Sequence, residues 1–436
     1  MSRFILLLFL ILIGCSKSYI DSTDDEVTIT EPMQVISTYS SVDFTEMNFY
    51  YSEPGIVNQL EIRRDTTEIP LTQYDGDLVF LDNVYNTVFY DYSETTDQET
   101  LSQGTTYYYS IFYRGNDVSV PPIRIDDLTL TTLTYKQGML QLLDELTDFS
   151  INLNDDLEFL ISSDLANVLF DEAMEPPTIL DATIANKFDG IIVQSLQYVP
   201  DNTLQDSDQF DSNLNFLSLL SNSKVTFAVD YCTSTHTEEC INPSRNTYTN
   251  NDIVGFIRPE SLDNIVDDLP GIINETSNTN ITDINDGDLK NFIFLDSPFD
   301  GMVSQLTTSN YDLIIMTPFD NDPSLSWDSL FSAEDVNSLK VKSNGESSRL
   351  VYAYIDISRI FKTNDFYWQT EWDQLEERPN WIDANISDNS DDFYIKYWRN
   401  DWKSILKQVL PLIINAGYDG IVFGGVGQYA DFPLQI

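Results

Sequence analysis

Eight short apolar runs, spread over residues 134–436 and separated by helical stretches, constrain this chain more than any other feature. They fall at 158–161, 190–193, 225–229, 253–257, 292–295, 313–316, 350–354 and 420–423. Apart from Glu158 and Thr226, the runs are apolar throughout rather than alternating, so each strand has to be covered on both faces, as strands of parallel sheets under helices are. Between them lie segments such as 138–147, Gly-Met-Leu-Gln-Leu-Leu-Asp-Glu-Leu-Thr, with apolar residues at helical spacing. Eight alternations of strand and helix favour a closed (β/α)8 barrel of the TIM type over an open sheet. In such a barrel the mouth lies at the carboxyl ends of the strands, and ligands and chemistry are expected there. The polar segment 264–290, containing Asn274-Glu275-Thr276-Ser277-Asn278, reads as a linker inside the barrel.

The first third of the chain has a different rhythm. Over residues 36–133, short alternating runs rich in Val, Ile, Thr, Tyr and Phe are broken by turns such as Glu53-Pro54-Gly55 and Asp75-Gly76, the pattern of an antiparallel β-sandwich. Before it, residues 16–35 are polar and acidic and read as a tether. At the start, Arg3 precedes an apolar run from Phe4 to Ile13 that closes on Gly14-Cys15. That run is about half the roughly 20 residues needed to cross a bilayer, and it reads as a cleaved export signal. Its Leu-Ile-Gly-Cys ending places residues 1–15 as a bacterial lipoprotein signal with Cys15 as the lipid-modified residue. Ser16 stands where an inner-membrane retention Asp would sit, so an outer-membrane, lipid-anchored address in the bacterial cell envelope is expected.

Composition then removes several function classes. The chain has 71 acidic and 22 basic residues, a net charge of −49, which repels nucleic-acid phosphates and anionic lipid surfaces. No nucleic-acid partner is expected, and membrane contact only through the anchor. Two cysteines remain after Cys15, Cys232 and Cys240; in an oxidising compartment their spacing is compatible with a disulfide closing a short loop. No metal-spaced His cluster or Ser-His-Asp set is present in the sequence, and one histidine leaves little room for either. Residues 283–288 miss the spacing of a calcium loop, and no Gly-rich phosphate loop is present, so neither metal nor cofactor is expected.

Two resemblances add to this reading. Leu101-Ser102-Gln103-Gly104-Thr105-Thr106-Tyr107 resembles the fibronectin type III segment in which a corner tyrosine, here Tyr107, leads into a late strand. In the second half, Arg349-Leu350-Val351-Tyr352-Ala353-Tyr354, Phe366-Tyr367-Trp368, Pro379-Asn380-Trp381, Tyr397-Trp398-Arg399-Asn400-Asp401-Trp402 and Gly417-Tyr418-Asp419-Gly420 succeed one another. This block is similar to the endo-alpha-1,4-polygalactosaminidase family of glycosidases (glycoside hydrolase family 114). Residues 135–262 resemble the portion of the family's barrel that lies C-terminal to that block, which implies a circular permutation with the C-terminal half of the barrel placed first.

The resemblance also implies a loss. Glycoside hydrolysis ordinarily needs two carboxyl groups flanking the scissile bond. The family's strand-end acids correspond to Arg359, Gly424, Gly427, Thr317 and Gln194, none of them acidic. The mouth is therefore expected to have kept its shape and lost its proton-handling groups. The resemblance leaves a cleft lined by Tyr354, Trp368, Trp381, Tyr397, Trp398 and Tyr429, with Asp356, Arg359, Gln194 and Asp230 as polar groups, suited to stacking on sugars. The expectation is an exported lipoprotein with a fibronectin-like spacer and a degenerate, non-catalytic barrel that binds carbohydrate, with a galactosamine-containing polymer as one candidate. Two alternatives stand beside it: a glycoside hydrolase using relocated carboxylates such as Asp356 and Asp230, and an envelope scaffold that contacts protein.

Overall fold

The computed structural model describes residues 33–432 apart from 52–58, 83–87, 93–100, 115–121, 172–176, 180, 222, 233–236, 259–277, 286, 321–329, 363–367, 370–371, 373–376 and 386–391. The expected export signal with Cys15, most of the expected tether, Phe366, Tyr367, His236 and the larger part of the expected linker lie outside the described residues. The chain divides into two compact units between Tyr135 and Lys136.

The first unit is built from two antiparallel sheets. One orders its strands Met33–Ser40, Phe44–Tyr51, Val88–Tyr92; the other orders Asp77–Asp82, Gln59–Asp65, Thr106–Arg114, Ile123–Thr131. Alternation along the strands sends Met47 and Phe49, Leu60 and Ile62, and Tyr107, Tyr109 and Ile111 into one buried cluster. Within it Arg64 donates to Asp91 at 3.0 and 3.1 Å, and Tyr109 Oη donates to the same carboxylate at 2.8 Å, so the buried charge is paired. Tyr107 Oη accepts from the Ser102 N–H at 2.7 Å, pinning the corner before its strand.

The second unit is a parallel, nearly closed eight-stranded barrel. Its strands, in chain order, are Glu158–Ser163, Gly190–Gln194, Val225–Tyr231, Val254–Arg258, Phe292–Leu295, Leu313–Met316, Leu350–Asp356 and Gly420–Gly424. All eight expected runs are strands, and their spatial order follows chain order, with the last strand paired to the first through Ile421 and Phe159 and their neighbours. Among the described residues the fourth and fifth strands are not hydrogen-bonded to each other, although they lie side by side. Phe256 and Phe292, rings 5.8 Å apart, fill that seam from within.

Strand starts at the amino end repeat one device. Asp189 accepts from the Phe159 N–H at 2.9 Å and Asp419 from the Val351 N–H at 2.9 Å, each tying its strand to the preceding neighbour. The glycine after each Asp is sterically required: a Cβ on Gly190 would lie 2.3 Å from the Val225 carbonyl oxygen, and one on Gly420 2.6 Å from that of Glu158. Helix Asn400–Ala416 buries Trp402, Leu406, Val409, Leu410 and Ile413 and ends at Gly417, whose φ of +88° suits a left-handed cap. Cys232 and Cys240 form a disulfide, Cα atoms 5.8 Å apart. No helix among the described residues is long and apolar enough to cross a membrane.

Candidate functional site

A cavity of about 550 Å³ opens at the carboxyl ends of the barrel strands. The sequence places it there residue by residue. Ser162, Ser163 and Asp164 close the first strand, Gln194 the second, Tyr231 the third, Arg258 the fourth and Asp296 the fifth, while Gly425, Gly427 and Gln428 come after the eighth. Strand ends are where side chains reach a barrel's mouth, and here the polar residues at those ends line the cavity and also bond to one another.

These polar groups are held in a fixed pattern. Tyr231 Oη donates to Gln194 Oε1 at 3.2 Å, and Gln194 Nε2 donates to Ser162 Oγ at 2.8 Å, so the amide's orientation is set. Arg258 pairs with Asp296 at 2.8 Å, its guanidinium 5.8 Å from the centre of the Tyr231 ring. Burial and Asp296 act on Arg258 in opposite directions, and the net effect raises its already high affinity for a proton. Arg359 is fixed in the same way: its Nε and Nη2 donate to Asp356 Oδ2 at 3.0 and 2.9 Å. Among the described residues Gln428 Oε1 is buried with no hydrogen-bond partner, an acceptor left for whatever enters.

Asp164 differs from the other acids. Its carboxyl reaches the cavity's solvent yet is crowded by protein, and that burial is the main cause pushing its proton affinity above the ordinary carboxylate range. Arg359 opposes the shift, and Asp431 and Asp356 reinforce it. A second, smaller cavity of about 130 Å³ adjoins the first, lined by Ser297, Pro298, Thr317, Phe319, Tyr354 and Asp356. Asp296, Arg359 and Phe361 line both.

This arrangement corrects the sequence expectation on several counts. The mouth is not stripped of acids: Asp164 and Asp296 both line the main cavity, and sequence reasoning missed them although each directly follows the last residue of a strand. The acids considered as relocated replacements are committed elsewhere. Asp230 is wholly buried and accepts from the Gln197 and Tyr198 N–H groups at 2.6 and 2.9 Å and from Tyr248 Oη at 2.7 Å. Asp356 Oδ1 accepts from the Ser358 and Arg359 N–H groups at 3.0 and 2.9 Å, shaping a turn, while its other oxygen holds Arg359.

The aromatic cleft is also rearranged. Trp368 and Trp381 are buried in a chain of rings, Trp368 against Trp372 at 5.7 Å, Trp372 against Trp381 at 5.3 Å and Trp381 stacked on Trp402 at 5.3 Å. Tyr397 and Trp398 pack on each other at 4.9 Å and on Phe432 at 5.5 and 5.0 Å. None of these four lines either cavity and all four are buried, so they pack on other rings and are not sugar platforms there. Tyr429 lies apart, its Oη 3.5 Å from Asn167 Oδ1 and its ring 5.6 Å from the Lys136 ammonium. Of the ten expected binding residues, Gln194, Arg359, Tyr354 and Asp356 line one cavity or the other.

Two glycines after the eighth strand's apolar run, Gly424 and Gly427, have a steric reason. A Cβ on Gly424 would come within 2.2 Å of Tyr354 Oη, and one on Gly427 within 2.5 Å of Ser163 Oγ. Neither position has room for a side chain in this barrel.

Fold and site together define a chain of two units, an antiparallel sandwich and a (β/α)8 barrel with a polar, charge-paired cavity at its mouth. No family model matches the chain. An uncharacterised protein of Methanocaldococcus jannaschii is 27% identical over 184 residues, covering 41% of this chain and 49% of that protein; the chain thus spans about half the length of that relative. The solved beta-glucuronidase of Parabacteroides merdae shares 9% identity at a TM-score of 0.23, over 90% of this chain and 49% of the enzyme. The fn3 domain of human contactin 1 shares 13% identity at a TM-score of 0.19, covering 28% of this chain and 93% of the domain. Likenesses this slight carry no argument about function.

Proposed function

We propose that the barrel binds a neutral carbohydrate in its carboxyl-end cavity, and that the chain is an exported lipoprotein, lipid-anchored through Cys15 at the outer membrane, whose first unit is a fibronectin type III-like spacer. The observation that carries the reading is the cavity wall itself. Hydroxyl and amide groups of Ser162, Ser163, Gln194, Gln205, Tyr231 and Gln428 converge on about 550 Å³, within the range of ordinary small-molecule sites. The cations among them are already paired, Arg258 with Asp296 and Arg359 with Asp356. A polyhydroxylated, uncharged ligand matches such a wall, because each hydroxyl both donates and accepts. The expected cationic glycan fits less well, since the acid excess of the whole chain is not concentrated at this site.

The spacer reading is supported by the three-plus-four strand arrangement and by the Tyr107 corner bond; the anchor reading by the sequence at residues 3–15. The open seam between the fourth and fifth strands, where the chain passes through residues 259–291, fits the old ends of a permuted barrel.

Hydrolysis is a second reading, favoured by one observation: Asp164 and Asp296 are on the wall of the same cavity. Burial raises the affinity of Asp164 for a proton, the direction a donor to a leaving oxygen needs, and Asp296 would be the partner acting on water. Purified protein beginning after Cys15 is incubated with galactosamine-containing and neutral polysaccharides while binding and reducing-end release are both monitored. Binding without release is the expected result. Release abolished by Asp164→Asn moves the assignment to hydrolysis, and absence of binding to every polysaccharide refutes the carbohydrate reading.

A further inference from the structure

The smaller cavity has a different character from the larger one beside it. Its wall combines Pro298, Phe319, Tyr354, Ile355 and Phe361 with the hydroxyls of Thr317 and Ser297. Thr317, Phe319 and Tyr354 are all nearly inaccessible, at 5, 7 and 6% exposure, so the pocket is formed by side chains that are themselves packed in place. Tyr354 is wedged edge-on against Phe294 at 5.0 Å. The two charged groups at its rim, Asp356 and Arg359, are bound to each other, and Asp296 is bound to Arg258. Thr317 Oγ1 accepts a long 3.4 Å bond from the Phe319 N–H, and its own proton remains to be donated.

Size narrows the occupant. A volume of about 130 Å³ is well below the roughly 300–1,000 Å³ of ordinary ligand pockets, so it suits a substituent and not a second sugar ring. An acetamido group has four heavy atoms: a nitrogen, a carbonyl carbon, its oxygen and a methyl. The apolar wall suits the methyl, the Thr317 hydroxyl the carbonyl oxygen, and the partition shared by the two cavities places the group beside a ring held in the larger one. A free ammonium would enter this pocket with no unpaired carboxylate to meet it and apolar side chains around it, an unfavourable burial.

Resting on the carbohydrate reading, we propose that the smaller cavity is a recognition pocket for an N-acetyl substituent, so that the ligand is an N-acetylated amino sugar and not its deacetylated, cationic form. The pocket makes the distinction through shape and through one hydroxyl, and the larger cavity holds the ring.

The test is calorimetric titration of the protein, residues 16–436, with N-acetylglucosamine and N-acetylgalactosamine oligomers and with the same oligomers after chemical de-N-acetylation. The expected result is at least tenfold tighter binding of an acetylated oligomer. In Thr317→Val, which preserves shape and removes the hydroxyl, that ratio is expected to fall several-fold, with the melting curve of the barrel verifying the fold. Equal binding of the two forms, or tighter binding of the free amine, overturns the acetyl pocket while leaving the carbohydrate reading in place. Binding of neither form, with neutral polysaccharides also failing, overturns both.

Discussion

The glycine at the end of the eighth barrel strand offers a direct test of why this mouth is built as it is. Gly424 has ordinary backbone angles, so an alanine there meets no conformational strain; the obstacle is Tyr354, whose Oη, Cζ and Cε2 would lie 2.2, 2.3 and 2.4 Å from the new Cβ. The ring cannot simply move aside, because Tyr354 is 6% exposed and packed edge-on against Phe294. Overpacking of this kind costs about 1–3 kcal/mol, and the reduced freedom of the unfolded chain returns about 0.4–1 kcal/mol. Gly424→Ala should therefore lose about 1–2 kcal/mol, which for a unit of this size lowers its melting point by about 2–4 °C. All six tryptophans, Trp327, Trp368, Trp372, Trp381, Trp398 and Trp402, belong to the second unit, so tryptophan fluorescence during urea unfolding tracks the barrel alone. Gly287→Ala is the control, since a Cβ there meets nothing within 4 Å. In a Tyr354→Ala background the cost of Gly424→Ala should largely vanish. A loss below about 0.5 kcal/mol, or an equal loss in both backgrounds, refutes the steric account.

Other perturbations have equally definite signs. Burial raises the Glu158 carboxyl to about 7 from 4.5, Tyr352 Oη and the Ile284 N–H donating to its two oxygens. The folded chain therefore keeps a proton between about pH 4.5 and 7 that the unfolded chain has lost, and this group's contribution to stability declines as pH rises through that window. Glu158→Gln should accordingly gain about 1 kcal/mol on the parent at pH 8 relative to pH 4, after allowance for solvent screening, as measured by urea unfolding at the two pH values. Lys342 and Asp312 form an ion pair with neither side chain exposed, so Lys342→Met strands a buried carboxylate and should lose about 3–5 kcal/mol, much of it recovered when Asp312→Leu is added. Tyr107→Phe removes the acceptor for the Ser102 N–H and should lower the calorimetric transition of the sandwich by about 4–8 °C, without moving the tryptophan-monitored transition of the barrel.

Much of the barrel was legible because both-face burial writes itself into sequence. Runs such as Leu313–Met316, Leu-Ile-Ile-Met, admit few other placements once eight of them alternate with helices. The Asp-Gly pairs at 189–190 and 419–420 share one geometry: the Asp ties one strand to its neighbour, and no side chain fits after it. The site was less legible, for a physical reason. Aromatic spacing at Trp368, Trp381, Tyr397 and Trp398 is the same whether rings stack on a ligand or on each other, and only the third dimension shows that they stack on each other. Asp356 and Asp230 stand in the sequence as candidates for relocated carboxylates, but hydrogen bonding within the chain uses both.

Position relative to the strand end proved a better guide than residue type. Gln194, Tyr231 and Arg258 are each the last residue of a strand, and Asp164 and Asp296 each come directly after one, so the barrel directs five successive side chains to one cavity. That ring also explains how a chain with net charge −49 can present a nearly neutral mouth. The cations are drawn to the rim acids, Arg258 to Asp296 and Arg359 to Asp356, and each pair is held where a free charge would be costly. What is left facing the ligand is Asp164, protonated more readily than an ordinary carboxylate, and a set of hydroxyls and amides. Removing one cation is then the sharpest probe of selectivity: Arg258→Met frees Asp296 and should shift preference from neutral oligosaccharides toward deacetylated, cationic ones. Competition between the two forms measures this, and an unchanged ratio would show that charge pairing at the mouth plays no part in ligand choice.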